Sequence, residues 1–335
     1  MSFRAPDGAA PNIAALAFTL VGYPVGIALL TVPSWALNAV GFVLATLTLV
    51  WSAYYIHEFA HQAIFRNPAL NERWGTLMSW LNGSCYARFA DLRRKHMRHH
   101  VERADVITFD SRGFLLAAPS WLRRAVVALE WAYFPAVEFL MRGFVVALPF
   151  KPGGSNAKRA RIVGIALLRF GAFAALGWYS PKALVLYFIA YLAFVTVLRF
   201  ADCFQHTYDS YPILGDAPIP NDKVRDRAYE QANTFSNVVG LDSFWLNLLW
   251  LNFGYHNAHH ERPTVPWHRL PAYHRELYGD GYRQVVPVMQ LLKAFHRHRV
   301  TRVLSGDYGE VRDLEVPGRA DGFIGAVGVS FLTAV

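Results

Sequence analysis

Uncharged apolar runs restrict the fold of this chain more than any other feature of its sequence. Residues 13–31 and 35–56 contain no charged side chain, and a helix needs roughly 20 apolar residues to cross a bilayer. Residues 162–179 and 183–200 form a second pair with one arginine each. Because backbone groups in lipid must be hydrogen-bonded within the segment, these runs are predicted to be helices. The sequence therefore predicts an all-α integral membrane protein with about four transmembrane helices in two hairpins.

The charge distribution predicts which side of the membrane the other residues face. Charged residues make up 17% of the chain, below the roughly 25% of soluble domains. The turns within the two pairs of runs carry almost no charge, whereas arginine and lysine flank the other ends. By the positive-inside rule, both termini and the polar segments between the two pairs are expected to face the cytoplasm. We expect the membrane to be the bacterial inner membrane. The net charge of +9 suits anionic lipid or an acidic redox partner, and we predict no nucleic-acid binding.

The polar stretches between and after the runs are predicted to form a cytoplasmic helical cap. Residues 120–150 are apolar but interrupted by charges, a pattern typical of amphipathic helices at the membrane interface. We assign residues 1–303 to one membrane-bound domain and residues 304–335 to a polar C-terminal tail. Cys85 and Cys203 are far apart, so the sequence indicates neither a disulfide framework nor a cysteine metal site.

Histidines cluster at four points in segments predicted to be cytoplasmic. Nine of the thirteen histidines lie in these clusters, which are His57-Glu58-Phe59-Ala60-His61, His96-Met97-Arg98-His99-His100, His206 and His256-Asn257-Ala258-His259-His260. Residues i, i+3 and i+4 share one face of a helix, so the rings within each HxxxH or HxxHH cluster are expected to converge. Since neutral imidazole is a common metal ligand, the clusters predict a metal site.

The number of histidines predicts two metal ions. Nine imidazoles exceed the about four to six ligands that fill one coordination sphere. Structural zinc sites have every coordination position filled by protein ligands. A histidine-rich site that leaves a position open instead favours redox-active iron.

The order HxxxH, HxxHH, HxxHH resembles the membrane fatty acid desaturase superfamily, whose members include acyl-lipid and acyl-CoA desaturases, hydroxylases and carotenoid ketolases. The resemblance covers roughly residues 51–270 and includes the surroundings of the third cluster, residues 252–263, followed by Val265-Pro266-Trp267. It implies a four-span architecture and a di-iron centre. The ligands it implies in the three clusters are His57, His61, His96, His99, His100, His256, His259 and His260.

Two further positions outside the three clusters match the superfamily. His206 corresponds to a ninth histidine between the second and third clusters. Asp202 stands where some members have an asparagine that holds an iron-bound water, and the resemblance makes it a candidate ligand or orienting residue. Since Asp202 precedes His206 by four residues, we expect both side chains to share one helix face.

The resemblance also implies the reaction and its partners. Two iron ions and dioxygen would act on an unactivated C–H bond of a lipid-linked fatty acyl chain, and desaturation is the expected outcome. Hydroxylation or ketolation of a lipid or a carotenoid by the same superfamily is the alternative. The segment Lys151-Pro152-Gly153-Gly154 lacks the histidine of a heme-binding HPGG motif, and two cysteines cannot form a Cys₄ iron–sulfur site. An external electron donor of the ferredoxin, rubredoxin or cytochrome b5 type is therefore implied.

Two other classes of protein fit parts of the pattern. The first cluster matches HExxH, the zinc metalloprotease motif in which Glu58 would be the general base. Asp202 or Asp242 could complete an intramembrane protease site, but this leaves both HxxHH clusters unexplained. A non-enzymatic heme or metal carrier is the third class, and dioxygen consumption with a lipid substrate would exclude it.

Other polar residues near the clusters are expected either to orient the ligating histidines or to have no part in metal binding. Four acidic residues could accept the second ring proton of a ligating histidine, namely Glu58, Glu102, Asp105 and Glu261. Four histidines beyond the clusters are expected to be surface or packing residues, namely His268, His274, His296 and His298.

Overall fold

Helices make up most of the fold in the computed structural model, which describes residues 2–241, 243–314 and 318–334. Asp242, one of the two aspartates considered for a protease site, lies outside the described residues. The α-helices in the described ranges are α1 (Ala9–Thr31), α2 (Trp35–Ala60), α3 (Pro68–Asn82), α4 (Phe89–Glu102), α5 (Ser111–Ala117), α6 (Ser120–Trp131), α7 (Ala136–Ala147), α8 (Asn156–Tyr179), α9 (Pro181–Asp202), α10 (Arg227–Ala232), α11 (Phe244–Asn247), α12 (His256–Glu261), α13 (Leu270–Tyr278), α14 (Val288–Arg297) and α15 (Thr301–Leu304).

Four of these helices, α1, α2, α8 and α9, are long and apolar enough to cross a membrane. They contain the four apolar runs, so the prediction of a mainly helical chain with four such segments is confirmed. The helix α8 begins six residues before its apolar run and takes up basic residues such as Lys158 in its first turns. Apolar side chains along α8, including Leu167 and Phe170, are exposed, which suits a surface that faces lipid.

The helices α1, α2 and α9 pack against one another. A Cβ atom at Gly26 of α1 would lie 2.9 Å from the backbone nitrogen of Ala45 in α2. Because glycine has no side chain, the two helices can approach closely at this point. The hydroxyl groups of Tyr23 in α1 and Tyr187 in α9 lie 2.9 Å apart and form a hydrogen bond. This hydrogen bond connects the first and the last of the four long helices.

The expected amphipathic segment at residues 120–150 forms two short helices, α6 and α7, connected by a tight turn. Glu130 of α6 is buried and pairs with Arg199 in the last turn of α9. The other carboxylate oxygen of Glu130 accepts a hydrogen bond of 2.9 Å from the backbone N–H of Val137. One buried carboxylate therefore joins α6, α7 and α9.

Two short strands, β1 (Asp105–Ile107) and β2 (Ser210–Pro212), form a parallel pair in which Asp105 lies opposite Ser210. The strand β1 directly follows α4, and β2 comes shortly after His206. This pairing holds Asp105 beside the end of α4, where the second histidine cluster lies.

The residues after position 304, which the sequence predicts to be a polar tail, pack against the rest of the chain wherever the structure describes them. Phe323, Leu332 and Ala334 are at most 3% exposed and belong to the main hydrophobic core. Polar residues and glycines dominate only up to residue 322, and the apolar side chains of residues 323–334 bury enough surface to hold the segment in place. The boundary at residue 303 remains a prediction.

Candidate metal centre

Four separate segments bring all nine clustered histidines to one end of the bundle. His57 lies in the last turn of α2, and His61 caps its C-terminus through a backbone hydrogen bond to the His57 carbonyl. The second cluster lies on α4, and the third forms most of the six-residue helix α12. His206 follows α9 and is held by an isolated bridge to Thr234.

The first of two groups contains five histidines from three segments, namely His57, His61, His96, His100 and His259. Their candidate ligand atoms lie within 4.8 Å of one another, and all five residues are buried. The Nε2 atoms of His61 and His96 are 2.7 Å apart, and those of His57 and His259 are 3.0 Å apart. The five imidazoles therefore direct their Nε2 atoms toward one small volume.

The second group contains four histidines, namely His99, His206, His256 and His260. The Nε2 atom of His206 lies 3.1 Å from that of His99 and 2.7 Å from that of His256. The two groups adjoin, since the ring centroids of His100 and His260 are 4.2 Å apart. The nine histidines thus form two adjacent donor sets, and a third group made of His100, Glu230 and His260 overlaps both.

Acceptors behind the second group fix the tautomers of three rings. Asp105 Oδ1 lies 3.0 Å from Nδ1 of His99, and Glu230 Oε1 lies 3.0 Å from Nδ1 of His260. The Thr234 hydroxyl donates to the Glu230 carbonyl, so its oxygen accepts from Nδ1 of His206 at 3.3 Å. With the proton held on Nδ1, the Nε2 atoms of these rings carry lone pairs.

The donor arrangement fits a bound metal cation. Two Nε2 lone pairs at 3.1 Å, as in His99 and His206, repel each other unless a cation lies near both. The Nε2 atom of His260 is buried and has no hydrogen-bond partner, which is costly for a polar atom without a ligand. A cation bound in each group would accept the lone pairs of Nε2 atoms for which the described residues provide no hydrogen-bond donor.

Burial lowers the pKa values of five of the histidines outside the long helices, so that these rings are neutral. Desolvation and the neighbouring rings hold the pKa values of His96, His100, His206 and His260 well below the ordinary histidine value. Desolvation lowers the pKa of His259 to about 3. Neutral imidazole is the form that ligates metals, so the site is prepared for a cation at physiological pH.

The acidic residues near the clusters differ in the side chains that they contact. Of the four expected orienting residues, Asp105 contacts a histidine at hydrogen-bonding distance, whereas Glu102 pairs with Arg98 and Glu261 pairs with Arg227. Glu230, which the sequence analysis missed, orients His260 and is itself held by Arg103 at 2.9 Å. No spacing signal connects Glu230 with the third cluster, so its role becomes visible only in the tertiary structure.

Glu58 does not occupy the position of a metalloprotease base. Its Oε2 accepts a hydrogen bond of 3.0 Å from the backbone N–H of Trp267, and its Oε1 lies 3.7 Å from Nδ1 of His57, behind the ring. His57 and His61 also share their group with three further histidines. Both observations disfavour the zinc protease interpretation.

Asp202 lies beside the histidines without joining either group of converging donors. It lines a cavity of about 50 Å³ together with His96, His99 and His206. The expected shared helix face is wrong, because α9 ends at Asp202 and His206 follows after a turn. The turn nevertheless places both residues at the same cavity.

The remaining histidines lie outside both groups. His274 is fully buried between Tyr255 and Tyr278, so it is a packing residue. His268 is near Asp7, His296 contacts the Tyr133 hydroxyl, and His298 donates to the Asp321 carbonyl.

The chain belongs to the fatty acid desaturase family, whose sequence pattern matches residues 33–291. The match includes all nine clustered histidines, and the resemblance noted from the histidine clusters is therefore confirmed.

A more specific similarity is to the sphingolipid delta(4)-desaturase of Candida albicans. The two sequences are 25% identical over 231 residues, which cover 66% of this chain and 56% of that protein. The chain thus matches little more than half the length of this relative.

Proposed function

We propose that this protein is a membrane-bound, oxygen-dependent desaturase that introduces a double bond into a lipid-linked fatty acyl chain. The convergence of nine imidazoles into two adjacent groups, in a chain of the fatty acid desaturase family, carries this proposal. The named relative acts on a sphingolipid, which is in line with a lipid substrate.

The nine histidines are the proposed ligands of two iron ions. His57, His61, His96, His100 and His259 would hold one ion, and His99, His206, His256 and His260 would hold the other. A pair of iron ions there would supply the oxidising power, with dioxygen, to break an unactivated C–H bond. In the overall reaction the acyl chain of the substrate would give up two hydrogen atoms to dioxygen. The external electron donor would supply two further electrons, which with two protons from solvent complete the reduction of dioxygen to two waters.

The protein's own residues orient the ligands and shape the space beside them. Asp105, Thr234 and Glu230 hold protons on the far side of three rings. Phe253 packs against His57 with ring centroids 4.4 Å apart, which excludes water from one side of the first group. The cavity beside the rings is the space that the reacting carbon would approach.

The four long helices are proposed to form two hairpins across the bilayer, which we take to be the bacterial inner membrane. The histidines lie where α2 and α9 end, and the residues around that end are rich in arginine and lysine, including Arg93, Arg94 and Lys158. The positive-inside rule then places the site, its cap and both termini in the cytoplasm. An external ferredoxin, rubredoxin or cytochrome b5 type donor would bring electrons to this basic side.

Asp202 is proposed to act through a water or a ligand at the edge of the second group. We expect Asp202→Ala to lose activity and Asp202→Asn to keep part of it, because asparagine retains an acceptor oxygen. Turnover and iron content of both variants, measured together, test this role. Full iron and full activity in Asp202→Ala would show that Asp202 is a helix-end charge, whose removal changes stability by about 0.5 kcal/mol or less.

Mass spectrometry of lipids from cells with and without the gene tests the proposed reaction. A lipid class that loses two hydrogens only when the protein is present would support desaturation. Products that gain oxygen would instead assign the protein to the hydroxylase or ketolase branch. Unchanged lipids in cells that contain the iron-loaded protein and an electron donor would contradict the proposal.

A further inference from the structure

One wall of the cavity beside the histidines comes from residues beyond the family match. The match ends at residue 291, whereas Val329 and Phe331 line the cavity together with His96 and His256. The ring centroid of Phe331 lies 6.0 Å from those of both His57 and His96. A substrate at the metal centre would therefore meet side chains that lie outside the matched region.

The cavity is too small to admit a hydrocarbon chain as it stands. Its volume of about 50 Å³ has room for a few waters, each of which needs about 10–15 Å³, whereas ligand pockets measure about 300–1,000 Å³. At least one wall must therefore shift when a substrate enters. The histidine walls are fixed by the groups to which they belong, and Phe253 and Val106 are at most 5% exposed. Val329 and Phe331 are partly exposed and lie outside regular secondary structure. The other partly exposed lining residues, Lys95, His99 and Asp202, lie on helices.

The segment that carries Phe331 is anchored on both sides of the ring but contains no regular element. Residues 323–334 form neither helix nor strand, and Gly325 and Gly328 have φ values of 78° and 76°, which glycine adopts readily. The Lys95 ammonium group donates to the carbonyls of Ser330 and Thr333, each at 2.9 Å. These two hydrogen bonds hold the backbone on both sides of Phe331, so the ring has a defined position that can change without unfolding a regular element.

We propose that Phe331 is a specificity-determining residue whose ring narrows the passage to the histidines and selects slender, unbranched hydrocarbon chains over bulky ones. The inference rests on the proposed function, because it takes the substrate to be a hydrocarbon chain that must reach the histidine groups. The selection is steric: a chain that carries a bulky group has to displace the ring further than a linear chain does.

Binding of two fluorescent fatty acids to the purified full-length protein in neutral detergent tests the proposal. The slender probe is cis-parinaric acid, and the bulky probe is 12-(9-anthroyloxy)stearic acid. Phe331→Ala should improve binding of the bulky probe about tenfold relative to the slender probe, the scale of a small volume change in an apolar pocket. The matched control is Leu332→Ala, which truncates the next side chain in the core rather than at the cavity, and it should leave the ratio unchanged.

A ratio that is equal in wild type, Phe331→Ala and Leu332→Ala would overturn the proposal, as would a change of the same size in both variants. If Phe331→Ala does not fold, Phe331→Leu should shift the ratio in the same direction by a smaller factor, and an unchanged ratio there overturns the proposal equally. Binding requires no turnover. A protein that shows the shift but modifies no lipid would therefore contradict the proposed function while supporting the role of Phe331.

Discussion

Substitution of His259 by alanine is expected to lower turnover by more than about a hundredfold, since loss of a residue that merely orients a ligand already costs 10–100-fold. The Nε2 atom of His259 lies 3.0 Å from that of His57 and 3.2 Å from that of His100. The side chain is therefore central to the first group, and its removal leaves that group without the donor from α12. The variant should also bind less metal. Turnover and metal content of the purified variant are the measurements.

Other histidine variants separate loss of a ligand from loss of packing. His99→Ala should resemble His259→Ala, because His99 is the donor that α4 contributes to the second group. His274→Ala also removes a fully buried imidazole, and it should lower stability while keeping the metal. His296 is exposed, so His296→Ala should be close to silent. Near-normal turnover and metal content in His259→Ala would remove His259 from the ligand set.

Substitution of Glu130 by alanine is expected to lower the free energy of unfolding by about 3–5 kcal/mol, the cost of breaking a buried ion pair by removing one partner. Glu130 and Arg199 are 3% and 6% exposed, so the arginine would keep a buried charge, and no other carboxylate among the described residues pairs with it. The variant also loses the acceptor for the Val137 N–H. Denaturant unfolding in detergent, followed by tryptophan fluorescence, measures the effect.

An exposed ion pair provides the control for Glu130. Asp216 lies 3.5 Å from Arg94, and its side chain is 78% exposed. Asp216→Ala should change stability by less than about 1 kcal/mol, as surface ion pairs do. Equal, small losses in both variants would show that the Glu130–Arg199 pair does not hold α6, α7 and α9 together.

The sequence was informative wherever spacing alone determines geometry. Runs of uncharged residues predicted the four long helices, because length and apolarity suffice for that inference. The HxxHH spacing predicted that His96, His99 and His100 lie on one helix, and α4 has this form. The assignment of these residues to two different groups was not predictable, since it depends on how α2, α4 and α12 pack.

Residues that act through tertiary contacts could not be found from the sequence. Glu230 lies 26 residues before His256 in the sequence, and neither spacing nor composition distinguishes it from other acidic residues. Phe331 belongs to residues 304–335, which are predicted to be a polar tail, yet its ring lies against the first group. The relation of Asp202 to His206 was inferred from helical periodicity, which fails because α9 ends between them.

The metal content of the purified protein tests the central claim most directly. The protein should be purified in detergent without added metal and its iron and zinc measured by inductively coupled plasma mass spectrometry against protein concentration. Two adjacent groups of histidine donors predict about two irons per chain in the wild type, because each group offers enough neutral imidazoles for one ion. One zinc per chain with no iron would contradict the di-iron account.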